Sequence, residues 1–371
     1  MTDARLALKL ILPVAFFGYA GYANLDLIRH GDLSIADRDL FQGGVTGEID
    51  SVYRDKLPHR DPSVGLVGAL RYALLGEGRD GVVVGQDDWL FTTEEYRFAA
   101  DAPVGLEETV ARMAGMRAEL AAAGSELVVL PLPAKVDIER RHGSDGAVSR
   151  RSAAEYDAFL AALEGAGLQA VDPRAAYAGG EAPGRFFRTD THWTPETAGR
   201  VARHLAATGL VAAGEVSYVR QPGAAETFQG DLVSFVTSDR LAPVIGLAPE
   251  RAVPYLAVAA EEDAEGGVLD LFGGESGGAL VLVGTSYSAN PTWSFAEALK
   301  LALGRDVLNH AAEGQGPVRP MQAFLAALRA GEAVPEVVVW EFPVRYLADP
   351  ALWDGDGDAA DGAAEEERHD A

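Results

Sequence analysis

The chain has 371 residues, 48% hydrophobic and 23% charged, a balance that excludes disorder over most of its length. Its formal charge of −25, interrupted by no basic stripe, repels nucleic acid and sets that class of partner aside. It contains no cysteine, so disulfides, thiolate catalysis and cysteine-bound zinc are excluded as well.

Residues 1–27 read as a signal anchor or a signal peptide. Arg5 and Lys9 precede an almost uncharged run from Leu10 to Leu25. That run is short for a spanning helix of roughly 20 residues unless Leu6 to Leu8 join it with Lys9 snorkelling. Basic residues ahead of an apolar run keep the start of the chain in the cytoplasm and export the residues downstream. Small-residue patterns ending at Ala20 and Ala23 would suit a signal peptidase. A buried core helix is the bland alternative. Either exported form predicts a chain outside the cytoplasm, tethered to the inner membrane if the segment is retained.

Residues 28–350 read as one α/β domain. "FQGGVTGEIDSVYRDKLPHRD" looks like an exposed helix, and "GVVVGQDDWLFTTEEY" like a short hairpin with a tight polar turn. From about residue 105 helices and strands alternate. "GLEETVARMAGMRAELAAAG" is helical, "ELVVLPLP" a buried strand, "AAEYDAFLAALEGAG" helical, and "LQAVD" a short strand. "TPETAGRVARHLAATG" carries Thr194 as N-cap, Pro195 at the first helical position and Gly209 as a stop. Residues 214–275 are irregular, an insertion that includes the acidic loop "AEEDAEGG". Then come the strand "ALVLVG", the helix "PTWSFAEALKLALG", the strand "DVLNH", the helix "PVRPMQAFLAALRAG" and the strand "EVVVWEF". Continuous apolar strands between amphipathic helices predict a mostly parallel sheet covered on both faces, with the ligand site beyond the strands' C-terminal ends. Residues 351–371 read as an acidic, disordered tail.

Two stretches carry chemistry. In "FFRTDTHWTPETAGR", Asp190 stands two residues before His192, one of only seven histidines. In "ALVLVGTSYSANPTW", an apolar strand runs into Gly284, and Ser286 follows at the spacing of a G-x-S elbow. A serine there is displayed at a strand's C-terminal edge, beside backbone N–H groups that can hold an oxyanion. Asp190, His192 and Ser286 therefore form a candidate triad. Ser288 is a rival nucleophile two residues on. Asp190 and His192 could instead bind a metal or form a structural pair; a metal would need further ligands, and His204 on the next helix is poorly placed, so none is expected. His30, His59, His142, His310 and His369 suggest no chemical role, and Trp193 suggests packing.

Several separated motifs occur in an order that identifies a resemblance: "VVVGQDDWLF", "LPLPAKVDIE", "RTDTHWTPETA", "LVGTSYS", "EGQGP" and "VVVWEFPVRYL". From about Phe41 to Leu347 the chain resembles the SGNH-hydrolase-like proteins of the alginate O-acetyltransferase type, the AlgJ/AlgX family. The resemblance implies an SGNH-like (flavodoxin-like) domain with a circularly permuted triad order. It also implies a periplasmic enzyme that acetylates an exopolysaccharide through Asp190, His192 and Ser286 without a cofactor, and an acetyl donor relayed by a membrane-bound O-acyltransferase partner. A chain with an N-terminal anchor and an acidic tail in place of a carbohydrate-binding module resembles the AlgJ branch. Gly316 would be an oxyanion donor or a plain turn glycine. Arg345 and Tyr346 would grip a uronate or sugar hydroxyls, unless Arg345 pairs with Glu341 or the tail. Lys135, at another strand's end, is a further candidate. An acetyl esterase and a non-catalytic polysaccharide-binding subunit are the competing functions.

Overall fold

Apolar runs too continuous for a half-exposed strand become the inner strands of a parallel sheet. In the computed structural model the described residues are 2–30, 45–46, 50, 52–53, 56–101, 105–178, 184–260 and 280–353. The sheet strands are β3 (Glu126–Leu132), β4 (Gln169–Ala170), β9 (Leu280–Val283), β10 (Val307–Asn309) and β11 (Val337–Pro343). They lie in the order β10-β9-β11-β3-β4, every neighbouring pair parallel. All of β9 and β11, and all of β3 beyond its first residue, are buried, as a sheet with both faces covered requires. Counted from β9 onward and round through the chain, the spatial order is 2-1-3-4-5, the flavodoxin-like sequence. The winding direction therefore reverses between β9 and β11.

The helices over this sheet are α3 (Leu106–Ala123), α4 (Gly146–Gly165), α5 (Pro195–Thr208), α6 (Phe295–Leu303) and α7 (Val318–Arg329). Helix α5 forms as its sequence dictates. The Thr194 hydroxyl accepts from the Thr197 amide, Pro195 supplies the first position, and Gly209 ends the helix at φ +71°. The expected single helix over 291–304 is broken. A short turn of 3₁₀ helix spans Pro291–Trp293, and Ser294 then adopts φ +56° before α6 begins. The Ser294 hydroxyl accepts from the Tyr255 amide at 2.9 Å, a contact from the insertion that holds the break.

The hairpin β1 (Val82–Val84) and β2 (Leu90–Thr92) is antiparallel, with Asp87 and Asp88 at positive φ in its turn. Within the insertion, β5 (Tyr218–Pro222) pairs with β8 (Tyr255–Ala259), and β6 (Glu226–Phe228) with β7 (Glu250–Ala252), both antiparallel. Helix α2 (Arg60–Leu75) packs against this region through two glycines. A Cβ on Gly68 would stand 2.0 Å from the Val236 carbonyl oxygen, so the close approach excludes any side chain. A small second core of Tyr72, Leu90, Leu232, Val233, Val236 and Leu247 joins α2, the hairpin and residues 231–247.

The N-terminal segment is helical over Thr2–His30, α1. Among the described residues no helix is long and apolar enough to cross a membrane. The acidic loop from residue 261, the tail from 354 and about half of the expected helix near 41–61 lie outside the described residues.

Candidate active site

The site forms where the winding reverses, at the C-terminal ends of β9 and β11. After β9 the chain passes Gly284 and Thr285 into one helical turn, Ser286–Ala289. Gly284 is required by a neighbour rather than by its own φ. A Cβ there would meet a Glu341 carboxylate oxygen at 2.5 Å. Glu341, fully buried in β11, accepts from the Thr285 amide at 3.0 Å, the Thr285 hydroxyl at 3.0 Å and the Ser288 hydroxyl at 2.6 Å. Burial raises its pKa and these donors oppose the rise. Glu341 thus ties the turn to the centre of the sheet. Gly284→Ala is expected to destabilise the protein by about 1–3 kcal/mol, read by thermal melting, because a buried carboxylate must move to admit the methyl group.

The same contacts set the two serines apart. Ser288 is buried with its hydroxyl committed to Glu341. Ser286 is partly exposed, and its Oγ lies 2.8 Å from His192 Nε2. His192 Nδ1 lies 2.7 Å from Asp190 Oδ1, which also accepts the His192 backbone N–H at 2.8 Å. The three expected residues therefore meet in one hydrogen-bonded line.

Residues 185–194 form a tight loop that presents the histidine. Phe187 N–H donates to the His192 carbonyl, and Thr194 N–H to that of Arg185. Tyr287 clamps this loop to the serine turn. Its hydroxyl donates to the Thr191 carbonyl at 2.5 Å, and its own carbonyl accepts from the Trp193 indole at 3.3 Å. Trp293 stacks on the imidazole at 5.0 Å, restricting ring rotation. Trp193 is wholly buried, the packing role its sequence context suggested.

Lys135 proves to be a structural cation under the loop. It is buried, and its ammonium donates to the carbonyls of Leu90 at 2.6 Å, Asp190 at 2.9 Å and Arg188 at 3.1 Å. Burial lowers its pKa to about 8, against the raising pull of Glu95, Asp190, Asp231 and Glu250. Arg345 is likewise buried. It pairs with Glu94 at 2.7 Å rather than with Glu341, and donates to the Tyr287 hydroxyl at 2.9 Å and that of Tyr346 at 3.3 Å. A guanidinium so engaged holds Tyr287 in place; of the expected gripping pair, only Tyr346 is partly exposed. Gly316 sits at φ +63°, where a Cβ would press on Leu352 at 3.0 Å, which accounts for glycine at this turn before α7.

One participant carries no signal in the sequence. Asp231 Oδ2 lies 3.8 Å from His192 Nδ1. Its carboxylate accepts from the Thr191 amide at 2.8 Å and the Thr191 hydroxyl at 2.5 Å, and its own N–H donates to Asp190 Oδ2 at 3.1 Å. Nothing in "FQGDLVSF" marks it, since its partners lie some forty residues upstream. Asp231 also supplies the third donor that a metal site lacks in the sequence alone, with Asp190 and His192 atoms within 4.8 Å of it. The oxygens of both carboxylates, however, already face N–H or O–H donors, and Nε2 faces Ser286. That donor set suits a proton relay rather than a cation.

The electrostatics follow from this geometry. Burial pulls the His192 pKa down, but the charge and hydrogen bond of Asp190, with Asp231 behind them, hold it above the ordinary histidine value. Burial raises the Asp190 pKa, but the imidazole and the N–H donors bring it below the usual carboxylate range. Burial and the charge of Asp190 raise that of Asp231. A histidine acting as base must be neutral, so turnover should decline as pH falls through a value above that of a free imidazole. Asp231→Asn removes one raising charge. The acid limb of its kcat/KM profile is expected to move to lower pH with the plateau within about tenfold of the parent, and an unmoved limb would deny Asp231 any influence on the base.

Comparisons with known proteins fit this architecture. The model of the SGNH hydrolase-like domain of the acetyltransferase AlgX matches residues 82–344. The chain is 37% identical over 328 residues to a probable alginate O-acetylase AlgJ of Pseudomonas aeruginosa, covering 85% of this chain and 83% of that one. It is 28% identical over 278 residues to the alginate biosynthesis protein AlgX of the same species, covering 71% of this chain and 56% of the relative. Among solved structures, the O-acetyltransferase domain of Pseudomonas putida AlgJ superposes with a TM-score of 0.62 at 33% identity, covering 76% of this chain and 95% of that domain.

Proposed function

The chain belongs to the family of SGNH hydrolase-like acetyltransferases that includes AlgX, and from that premise we propose that it acetylates hydroxyls of an alginate-like exopolysaccharide in the periplasm. The observation that carries the chemistry is the unbroken line Asp190–His192–Ser286, 2.7 and 2.8 Å between partners, at the sheet's reversal point. In this reading the triad order is a circular permutation of the flavodoxin-like winding, with the serine after the strand counted first and the Asp–His loop after the strand counted last.

Ser286 Oγ attacks the carbonyl carbon of an acetyl donor as its proton passes to His192 Nε2. Asp190 accepts from Nδ1–H and stabilises the imidazolium. In this proposal the tetrahedral oxyanion is met by backbone N–H groups at the start of the Ser286 turn, with the Gly316 N–H as a second donor. Collapse expels the donor's leaving group, which takes the proton from Nε2, and leaves acetyl-serine. A sugar hydroxyl then gives its proton to Nε2 and attacks the acetyl carbon. Ser286 departs and recovers that proton. Tyr346 contacts the acceptor, while Arg345 acts through Tyr287 as a positioning residue.

A membrane-bound O-acyltransferase supplies the acetyl groups in this proposal. Helix α1 serves as signal anchor or cleaved leader, supported by Arg5 and Lys9 and by exposed Phe16, Phe17 and Ile28. The placement of Ser286 within bonding distance of His192 weighs against a purely polysaccharide-binding subunit. The deciding experiment incubates the protein with a chromogenic acetyl ester and mannuronate oligomers and follows the sugars by mass spectrometry. Oligomers heavier by one acetyl group support transfer. Ester cleavage with unmodified oligomers would make the protein an esterase instead.

A further inference from the structure

The break before α6 sets an aromatic ring against His192 in a way that works against folding at two points. Ser294, which is not glycine, adopts φ +56°, and the turn ahead of it is fixed by the Asn290 side chain, which accepts from the Thr292 amide at 3.0 Å. The Trp293 side chain is buried, and among the described residues its indole N–H has no hydrogen-bond partner. A side chain that only filled this space could be phenylalanine or leucine, neither of which buries an unpaired donor.

The arrangement provides a face. The Trp293 ring lies 5.0 Å from the His192 imidazole and within 22° of parallel to it. Phe187 and Phe228 pack against the indole at 5.3 and 5.5 Å, tilted by 48° and 60°, and hold it in that pose. We propose that Trp293 is a positioning residue for His192, whose indole face stabilises the imidazolium formed when the Ser286 proton passes to Nε2. The inference rests on the reading of His192 as the general base. Among aromatic side chains indole attracts a cation over its face most strongly, and the attraction grows where water is excluded. A neutral imidazole gains less from that face than a charged one, so the contact strengthens as the proton moves.

Other groups bear on the same ring. Asp190 and Asp231 favour its charged form, and Arg345, which reaches the Tyr287 hydroxyl, opposes it. The Glu341 carboxylate interacts with it from β11, and the Tyr287 ring packs at 4.7 Å with a tilt of 50°. The Lys135 ammonium is held on the Asp190 carbonyl. Burial acts against the charged form. Packing and stacking therefore differ in sign. If Trp293 only packs, its removal admits water to the ring and the imidazolium gains. If its face carries the imidazolium, its removal makes the ring harder to protonate.

The test is an NMR titration of His192 in the full chain carrying Ser286→Ala, where no turnover intervenes, with the signal assigned by its loss in His192→Gln. Trp293→Leu is expected to lower the midpoint by at least about half a pH unit. Trp293→Phe, which keeps an aromatic face without the unpaired N–H, should lower it by less. In chains that retain Ser286, hydrolysis of a chromogenic acetyl ester should show the acid limb of kcat/KM moving to lower pH with Trp293→Leu. The plateau kcat should fall by about three- to thirtyfold with KM within about twofold of the parent. A midpoint that rises or stays in place in folded Trp293→Leu overturns the proposal. Should that variant fail to fold, the same result in Trp293→Phe overturns it. The titration requires no turnover. A lowered midpoint in a chain that neither transfers nor hydrolyses acetyl groups sinks the reading of His192 as base and leaves the stack, whereas an unmoved midpoint in an active chain sinks only the stack.

Discussion

Replacing Ser286 by alanine is expected to lower acetyl transfer and ester hydrolysis by at least about 10³-fold while leaving the protein folded. The hydroxyl is partly exposed and its described hydrogen bond runs to His192, so its loss costs about 1 kcal/mol of stability or less. Ser288→Ala should behave in the opposite way. It strips a donor from the buried Glu341 carboxylate at 2.6 Å and is expected to cost about 1–3 kcal/mol in melting experiments, with residual activity well above that of Ser286→Ala. Mass spectrometry adds a direct readout, a single acetyl group on the peptide containing Ser286 after brief exposure to donor. An active Ser286→Ala protein beside an inactive but folded Ser288→Ala protein would reassign the nucleophile.

The second large effect is expected at Lys135, which touches no substrate. Lys135→Met fills similar space but leaves the carbonyls of Leu90, Arg188 and Asp190 without their cation. Breaking a buried charged cluster from one side typically costs about 3–5 kcal/mol. For a domain of this size that corresponds to a fall in Tm of roughly 6–15 °C. Two of those carbonyls belong to the loop that carries Asp190 and His192, and a displacement of about 1 Å in a catalytic group can cost around 10²-fold in rate. The variant should therefore lose both stability and turnover. A melting point within about 1 °C of the parent at full activity would mean that the cation is dispensable.

Much of this site was legible in the residues. Thr194, Pro195 and Gly209 bound their helix as capping rules require, and a serine after a glycine-ended strand pointed to the turn that meets His192 in space. The hairpin of residues 82–92 was visible from its apolar flanks and polar tip. What escaped depends on tertiary contact. Gly65 and Gly68 argue against a helix by propensity, yet they let α2 approach the backbone near Val236. The Ser294 break answers to Tyr255 across space, and Asp231 is joined to Thr191 and Asp190 only by the fold. Glu341 left a visible trace, a carboxylate inside "VVVWEF", and a charge within a buried run should have prompted a search for donors.

The position of β11 in the chain has a bearing on how the molecule comes into being. It is the middle strand, flanked by β9 and β3, and residues 337–343 are the last of the sheet to be synthesised. Until they emerge, those flanking strands have no shared partner and each keeps a bare edge. Glu341, which ties down the serine turn, arrives on that same closing segment. The parallel sheet and the anchored serine turn can therefore be completed only once residues 337–343 are available.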